Sequence, residues 1–66
     1  MRSEYWYQHK LEEYFNEHYK KYDFDIEWYI NPSINQWKFK IPELNAKITI
    51  TCNCEGKITE IDEPIN

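Results

Sequence analysis

The residues best suited to chemistry are two cysteines and two histidines, Cys52, Cys54, His9 and His18. Thiolates and imidazoles bind zinc, but a structural zinc site takes about four such ligands, commonly from two Cys-x2-Cys or Cys/His pairs. This chain offers one Cys-x-Cys, and its two histidines point to opposite sides of a helix that turns by about 100° per residue. We therefore expect no metal site and no cofactor. The one-residue spacing also disfavours a Cys52–Cys54 disulfide.

The same residues do not form a catalytic pattern. A Cys–His pair acts as a nucleophile only where a base and a pocket favour the thiolate, and Glu55 beside Cys54 disfavours it. The carboxylates are dispersed rather than paired in contrasting environments. A single glycine excludes a glycine-rich phosphate loop. The sequence therefore predicts that the protein is not an enzyme.

The length and composition indicate one small ordered domain spanning residues 1–66. Such a chain buries little surface, and its three Trp, six Tyr and three Phe supply the apolar area that must compensate. No apolar run is long enough for a membrane span, and "MRSEYWYQHK" lacks the apolar core of a signal peptide. These features predict a soluble cytoplasmic protein with reduced thiols.

The acidic residues concentrate toward the C-terminal end. The net charge is −4, and residues 54–66 contribute −3 of it, from four acidic residues and one lysine. A nucleic-acid-binding domain normally carries a basic stripe instead, so direct nucleic-acid binding is disfavoured. Abundant Ile, Asn, Lys, Tyr and Phe, whose codons are AT-rich, favour a gene from a low-GC bacterium or its phage.

The N-terminal third has the periodicity of an amphipathic helix. Ser3 is a suitable N-cap, and the following apolar and aromatic residues recur at spacings of three, four and seven along one face. We expect a helix over residues 4–22 with a half-buried His18 on this face. The residues of the stripe are Tyr7, Leu11, Tyr14, Phe15, His18 and Tyr22.

After the helix the apolar period changes to two, which indicates strands at about 24–30, 37–41, 46–53 and 57–61. Placing Ile30 opposite Trp37 sets Glu27 opposite Lys40. The run "NCEGK" fits a three-residue hairpin loop that pairs Cys52 with Ile58 and Thr51 with Thr59, so that Cys52 faces the core and Cys54 lies in the loop. The predicted fold is α+β, α-β-β-β-β, with the helix on one face of a four-stranded antiparallel meander in two layers.

Three surfaces are candidates for partner binding, and each has a simpler structural explanation. An aromatic pair on the helix either packs over the rim of the domain or contacts a partner. The sheet face away from the helix is either solvated or a docking face. The acidic end either keeps an edge strand from aggregating or meets a basic surface of another protein. The aromatic pair on the helix is Tyr5 and Trp6. The residues of the sheet face are Tyr29, Lys38, Lys40 and Ile61. The residues of the acidic end are Glu60, Asp62 and Glu63.

The hypothesis that follows is a small acidic non-enzymatic protein that binds another protein. Its most concrete form is a phage or mobile-element product that inhibits a host nucleic-acid-processing or defence enzyme through the basic surface of that enzyme. One alternative is a structural homo-oligomer, in particular a homodimer, that enlarges an undersized core. A second alternative is a nucleic-acid-binding module that uses Tyr29, Lys38 and Lys40 on the open sheet face.

Overall fold

The computed structural model describes residues 2–27 and 33–66. It confirms the α+β class, with one N-terminal helix on one face of an antiparallel sheet. Three long strands form the body of the sheet, and a three-residue strand extends it at one edge. The elements in chain order are α1 (Glu4–His18), β1 (Asp25–Glu27), β2 (Gln36–Ile41), β3 (Ala46–Cys52) and β4 (Ile58–Pro64).

Helix α1 begins as predicted and ends four residues early. The Ser3 hydroxyl caps it by accepting from the Trp6 amide at 3.2 Å, which satisfies one of the free donors of the first turn. At the other end, Tyr19 leaves the helical conformation at φ −128°. The predicted end at residue 22 is therefore wrong. The physical reason lies in tertiary contacts, because the turn after His18 brings the Tyr19 hydroxyl to strand β4.

The helix packs on the sheet through one narrow stripe. Tyr7, Leu11 and Phe15 are buried, as the periodicity predicts. His18 is exposed, and its ring stacks on that of Tyr14 with centroids 4.3 Å apart. The prediction of a half-buried His18 is therefore wrong, because this ring lies against Tyr14 at the end of the helix and not in the core.

Strand β3 occupies the centre of the three long strands. Its buried side chains alternate along the strand and meet Phe39 and Ile41 of β2 and Leu11 of α1 in one core. Because side chains alternate between the two faces of a strand, every second residue lies on the side away from the helix. The buried residues of β3 are Ile48, Ile50 and Cys52.

The pairing of β1 with β2 differs from the predicted register by two residues. Glu27 lies opposite Lys38, and Asp25 lies opposite Lys40, so the predicted pairing of Glu27 with Lys40 is wrong. A shift of two residues keeps every side chain on the same face, so the hydrophobic pattern could not distinguish the two registers. The rest of the predicted first strand, including the pairing of Ile30 with Trp37, lies outside the described residues.

Two left-handed residues close the hairpins. Asn45 has φ 51° after the short 3₁₀ turn Pro42–Leu44. Gly56 has φ 86° in the β3–β4 loop, a region that glycine enters without steric cost. In that loop the Asn53 side chain accepts from the amides of Glu55 and Lys57, each at 2.9 Å. The predicted pairing of β3 with β4 is confirmed, and β4 extends to Pro64, beyond its predicted end.

Candidate functional site

The acidic residues of β4 are divided between the two faces of the sheet. The register sets Glu60 opposite Ile50 and Asp62 opposite Ile48, and these two isoleucines are buried beneath the helix. Alternation therefore places Glu60 and Asp62 on the helix side and Glu63 on the other side. The acidic end, which the sequence treats as one candidate surface, is thus divided between two faces, because period-two geometry separates neighbours along a strand.

Glu60 forms the centre of a hydrogen-bonded cluster with the end of α1. The Tyr19 hydroxyl donates to its Oε1 atom at 2.6 Å, and the Tyr14 hydroxyl donates to the same atom at 2.9 Å. The Tyr19 distance is in the range of short hydrogen bonds to a charged acceptor, and the Tyr14 distance is in the ordinary range for a hydroxyl donor. Glu60 therefore ties the last helical turn to the edge strand and is only partly exposed.

The titration of these groups reflects their proximity. Burial and the hydrogen bond to Glu60 raise the pKa of Tyr14 to about 12, and the same causes raise the pKa of Tyr19 further. Burial acts to raise the pKa of Glu60, but the hydrogen bonds from Tyr19, Asp62 and Tyr14 outweigh it, and the pKa lies below its usual value. The phenols therefore stabilise the ionised form of Glu60.

Asp62 has the opposite shift. Partial burial, followed by the hydrogen bond and the charge of Glu60, raises the pKa of Asp62 above its usual value. Asp62 is exposed, and no basic residue occurs between Ile58 and Asn66. The ionised pair therefore maintains a negative potential at the outer edge of the sheet that a cation on a partner would relieve.

Trp6 packs against the hairpin loop of its own domain. A methyl group at Gly56 would lie 3.3 Å from its ring, so the ring covers the loop closely. The Arg2 guanidinium lies 4.4 Å and the Lys10 ammonium 5.7 Å from the ring centroid, within reach of cation–π attraction. These contacts explain the position of Trp6 as packing over the rim of its own domain. Its neighbour Tyr5 is 89% exposed.

The open sheet face carries Lys38, Lys40 and Ile61, as predicted. The register sets an acidic residue opposite each lysine of this face, namely Glu27 opposite Lys38, Asp25 opposite Lys40 and Glu63 opposite Lys47. Ile61 is 54% exposed. Tyr29, the remaining residue predicted for this face, lies outside the described part of the chain.

The two cysteines occupy different environments, as the sequence indicated. Cys52 is buried and Cys54 is exposed, and neither is in a disulfide. Burial raises the pKa of the Cys52 thiol, and the Lys10 charge opposes this only in part, so Cys52 behaves as a small core residue. Among residues 2–27 and 33–66, no group of three or more His, Cys, Asp or Glu side chains could hold a metal ion.

Sequence reasoning missed the Glu60 cluster, although a signal for it was present. The predicted pairing of Cys52 with Ile58 already placed every even-numbered residue of β4 on the helix side.

In the described part of the chain, no helix is long and apolar enough to cross a membrane. Comparison with known proteins finds no protein family, no curated protein and no solved structure that this chain matches.

Proposed function

We propose that this is a small acidic, non-enzymatic protein that binds another protein through the outer surface of β4. The observation that carries the proposal is an edge strand with three carboxylates and no basic residue between Ile58 and Asn66. Two of these carboxylates, those of Asp62 and Glu63, are exposed. They lie on opposite faces of the same strand, so a partner at the edge meets both.

The partner that fits this surface has positive charge. Acidic surfaces steer basic partners toward themselves and discriminate against acidic ones. Proteins that bind nucleic acid present such basic surfaces, and a protein docked there competes with the phosphate backbone. The proposal therefore includes inhibition of a nucleic-acid-processing or defence enzyme and a phage or mobile-element origin. The abundance of residues with AT-rich codons fits a low-GC bacterium or its phage as the source.

The contacts of Glu60 determine which carboxylates of β4 are suitable for charge reversal. Glu60 accepts hydrogen bonds from Tyr14 and Tyr19, so reversing its charge would disturb the fold as well as the surface. Reversal of Asp62 and Glu63 together leaves those two hydrogen bonds in place. The matched control reverses Glu12 and Glu13, which are exposed on the outer side of α1 and produce the same change in net charge.

The experiment is affinity capture from the heparin-binding fraction of a low-GC bacterial lysate, with elution by a DNA oligonucleotide. The wild-type protein and the Glu12→Lys/Glu13→Lys control should retain a protein that the oligonucleotide elutes. The Asp62→Lys/Glu63→Lys variant should not retain it. Retention of the same protein by this variant, or retention that the oligonucleotide cannot reverse, would overturn the proposal.

The open sheet face gives weaker support to the nucleic-acid-binding alternative. Each lysine in its register has an acidic residue opposite, whereas nucleic-acid affinity depends on a surplus of positive charge. The homo-oligomer alternative through this face meets a similar difficulty, because the positions of β2 and β3 on this face are occupied by half-buried polar side chains, among them Gln36, Lys38 and threonines, rather than by an apolar patch.

A further inference from the structure

The hydrogen bonds at the two ends of the β3–β4 hairpin determine which way each backbone group of β4 points. At one end the Asn53 amide donates to the Lys57 carbonyl at 3.0 Å, and at the other the Ile65 amide donates to the Asn45 carbonyl at 3.2 Å. In an antiparallel ladder, hydrogen-bonded pairs alternate with pairs that are not hydrogen-bonded to each other. The odd-numbered residues of β4 therefore direct their amides and carbonyls toward β3.

An independent hydrogen bond on the other side of β3 agrees with this assignment. The Cys52 amide donates to the Asn35 carbonyl at 2.8 Å, so the even-numbered residues of β3 are directed toward β2. The residues opposite them in β4 are consequently directed away from the sheet. They are Ile58, Glu60, Asp62 and Pro64.

Pro64 fits this alternation. Proline lacks an amide donor and is tolerated in a sheet where that position faces outward at an edge. The outward row of β4 thus consists of the amides of Ile58, Glu60 and Asp62, together with the carbonyls of these residues and of Pro64. Within residues 2–27 and 33–66, β4 has one neighbouring strand, β3, and an unpaired row of this kind is a template for strand addition.

The charges of β4 decide which strand can be added. A second copy of this chain would bring Glu60, Asp62 and Glu63 against the same residues of its neighbour, and like charges across a ladder destabilise pairing. A segment with Lys or Arg at alternate positions would instead set a cation beside Glu60 and Asp62. The same carboxylates that oppose self-association therefore favour a basic strand.

We infer that the outer edge of β4 binds an extended, basic segment of a partner protein by strand addition. The inference rests on the proposed function and specifies its partner: the segment pairs with the amides and carbonyls of Ile58, Glu60 and Asp62. Its basic side chains on the helix side lie beside the carboxylates of Glu60 and Asp62. The backbone supplies the affinity, and the carboxylates supply the preference for basic sequences.

The inference also requires a pH dependence. On the helix side, Asp62 interacts with Glu60 of the same strand and with Tyr14 and Tyr19 of α1 or its end. Glu17 acts on Tyr14 and His18 acts on Glu60, so both charges belong to the same surroundings. In the isolated protein the charge of Glu60 disfavours ionisation of Asp62, whereas in the complex a cation of the partner favours it. Binding should therefore weaken as the pH falls through the raised pKa of Asp62.

The test uses three synthetic peptides with the full chain labelled with ¹⁵N. The first alternates Lys and Val, the second alternates Glu and Val, and the third is the Lys–Val peptide with alternate amides N-methylated so that it cannot complete a ladder. At low salt the first peptide should slow hydrogen exchange of the Glu60 and Asp62 amides at least about tenfold, with little change at Ile61. The other two peptides should not slow it.

Two variants separate the backbone contribution from the charge. Asp62→Asn removes the charge and keeps the outward amide, whereas Asp62→Pro removes both and leaves the ladder to β3 intact. We expect Asp62→Pro to bind the Lys–Val peptide at least about tenfold more weakly than Asp62→Asn, since the proline removes one ladder hydrogen bond and blocks further pairing along the edge. Chemical shifts of Thr51 and Thr59 monitor whether the hairpin remains folded.

The outcomes distinguish the inference from the proposed function. If the N-methylated peptide binds as tightly as the Lys–Val peptide, strand addition is overturned, whereas acidic docking to a basic partner stands. Strand addition is also overturned, and acidic docking stands, if the capture experiment shows a partner dependent on Asp62 and Glu63 but the Lys–Val peptide leaves hydrogen exchange of the Glu60 and Asp62 amides unchanged. If no Lys-containing peptide binds at low salt and capture also fails, both are overturned.

Discussion

Replacing Tyr19 by Phe removes one phenol hydroxyl and keeps the ring that packs against Phe39 with centroids 5.3 Å apart. The hydroxyl donates to the Glu60 carboxylate at 2.6 Å. A hydrogen bond to a charged group contributes about 1.5–3 kcal/mol. Because Glu60 is partly exposed, water replaces part of this contribution, and we expect a loss of about 1.5 kcal/mol in the free energy of unfolding at pH 7.

Thermal denaturation followed by circular dichroism measures this loss. In a domain of this size, 1 kcal/mol corresponds to a change in Tm of about 4–8 °C, so Tyr19→Phe should lower Tm by about 6–12 °C. The matched control is Tyr5→Phe, which removes a hydroxyl from a side chain that is 89% exposed and should leave Tm within about 1 °C. Equal Tm values for the two variants would refute the role of Glu60 as a link between α1 and β4.

A double-mutant cycle isolates the interaction from other effects of the substitution. In a Glu60→Ala background, Tyr19→Phe should cost less than about 0.5 kcal/mol, because the acceptor is already absent. The coupling should also weaken as the pH falls through the lowered pKa of Glu60, because the stability that an acid with a depressed pKa contributes is lost when it is protonated. A coupling that persists unchanged at low pH would show that the charge of Glu60 is not involved.

Three further predictions concern single residues. Burial and the Glu60 hydrogen bond raise the pKa of Tyr14 to about 12, so Tyr14 should ionise above the ordinary tyrosine value near 10 in an absorbance titration, and stability should fall as the pH rises above that value; ionisation of Tyr14 at the ordinary value would contradict this. Gly56→Ala should lower the free energy of unfolding by about 1–2 kcal/mol, because φ is 86° and Trp6 lies 3.3 Å from the added methyl. Chemical denaturation measures this loss, and an unchanged midpoint would contradict the prediction. A thiol reagent should modify exposed Cys54 at once and buried Cys52 only after unfolding; two equally fast reactions would refute these placements.

Much of the fold could be predicted because local chemistry and long-range pairing agree. Asn53 and Gly56 suit only a few turn types, and the turn they form fixes the β3–β4 register. The N-cap at Ser3 and the stripe through Leu11 and Phe15 similarly determine where α1 begins and which face it buries. In each case a small class of residues is preferred at the position.

The features that could not be predicted depend on contacts between distant residues. The end of α1 depends on the hydroxyl of Tyr19 reaching Glu60, 41 residues away. The register of β1 cannot be determined from alternation, because Glu27 keeps its face when its partner changes from Lys40 to Lys38. The link between Gln8 and Trp37, a hydrogen bond of 2.7 Å from the indole to the amide oxygen, likewise has no local sequence signal.

The different roles of the carboxylates of β4 depend both on local alternation and on contacts between distant residues. Alternation alone places Glu60 on the helix side and Glu63 on the opposite side. Charge composition alone suggests one acidic patch. The two phenols that make Glu60 structural become apparent only when α1 lies across β4, and this leaves Asp62 and Glu63 as the carboxylates available to a partner.

The most direct test of binding at the outer edge of β4 is a map of amide chemical shifts of the full chain as the Lys–Val peptide is added at low salt. Strand addition at this edge predicts that the largest changes fall on β4, from Ile58 to Asp62, and on the end of α1 around His18. It also predicts that they are absent in the Asp62→Lys/Glu63→Lys variant. Changes centred instead on Thr49 in the open sheet face or on Trp6, or equal changes in that variant, would contradict it.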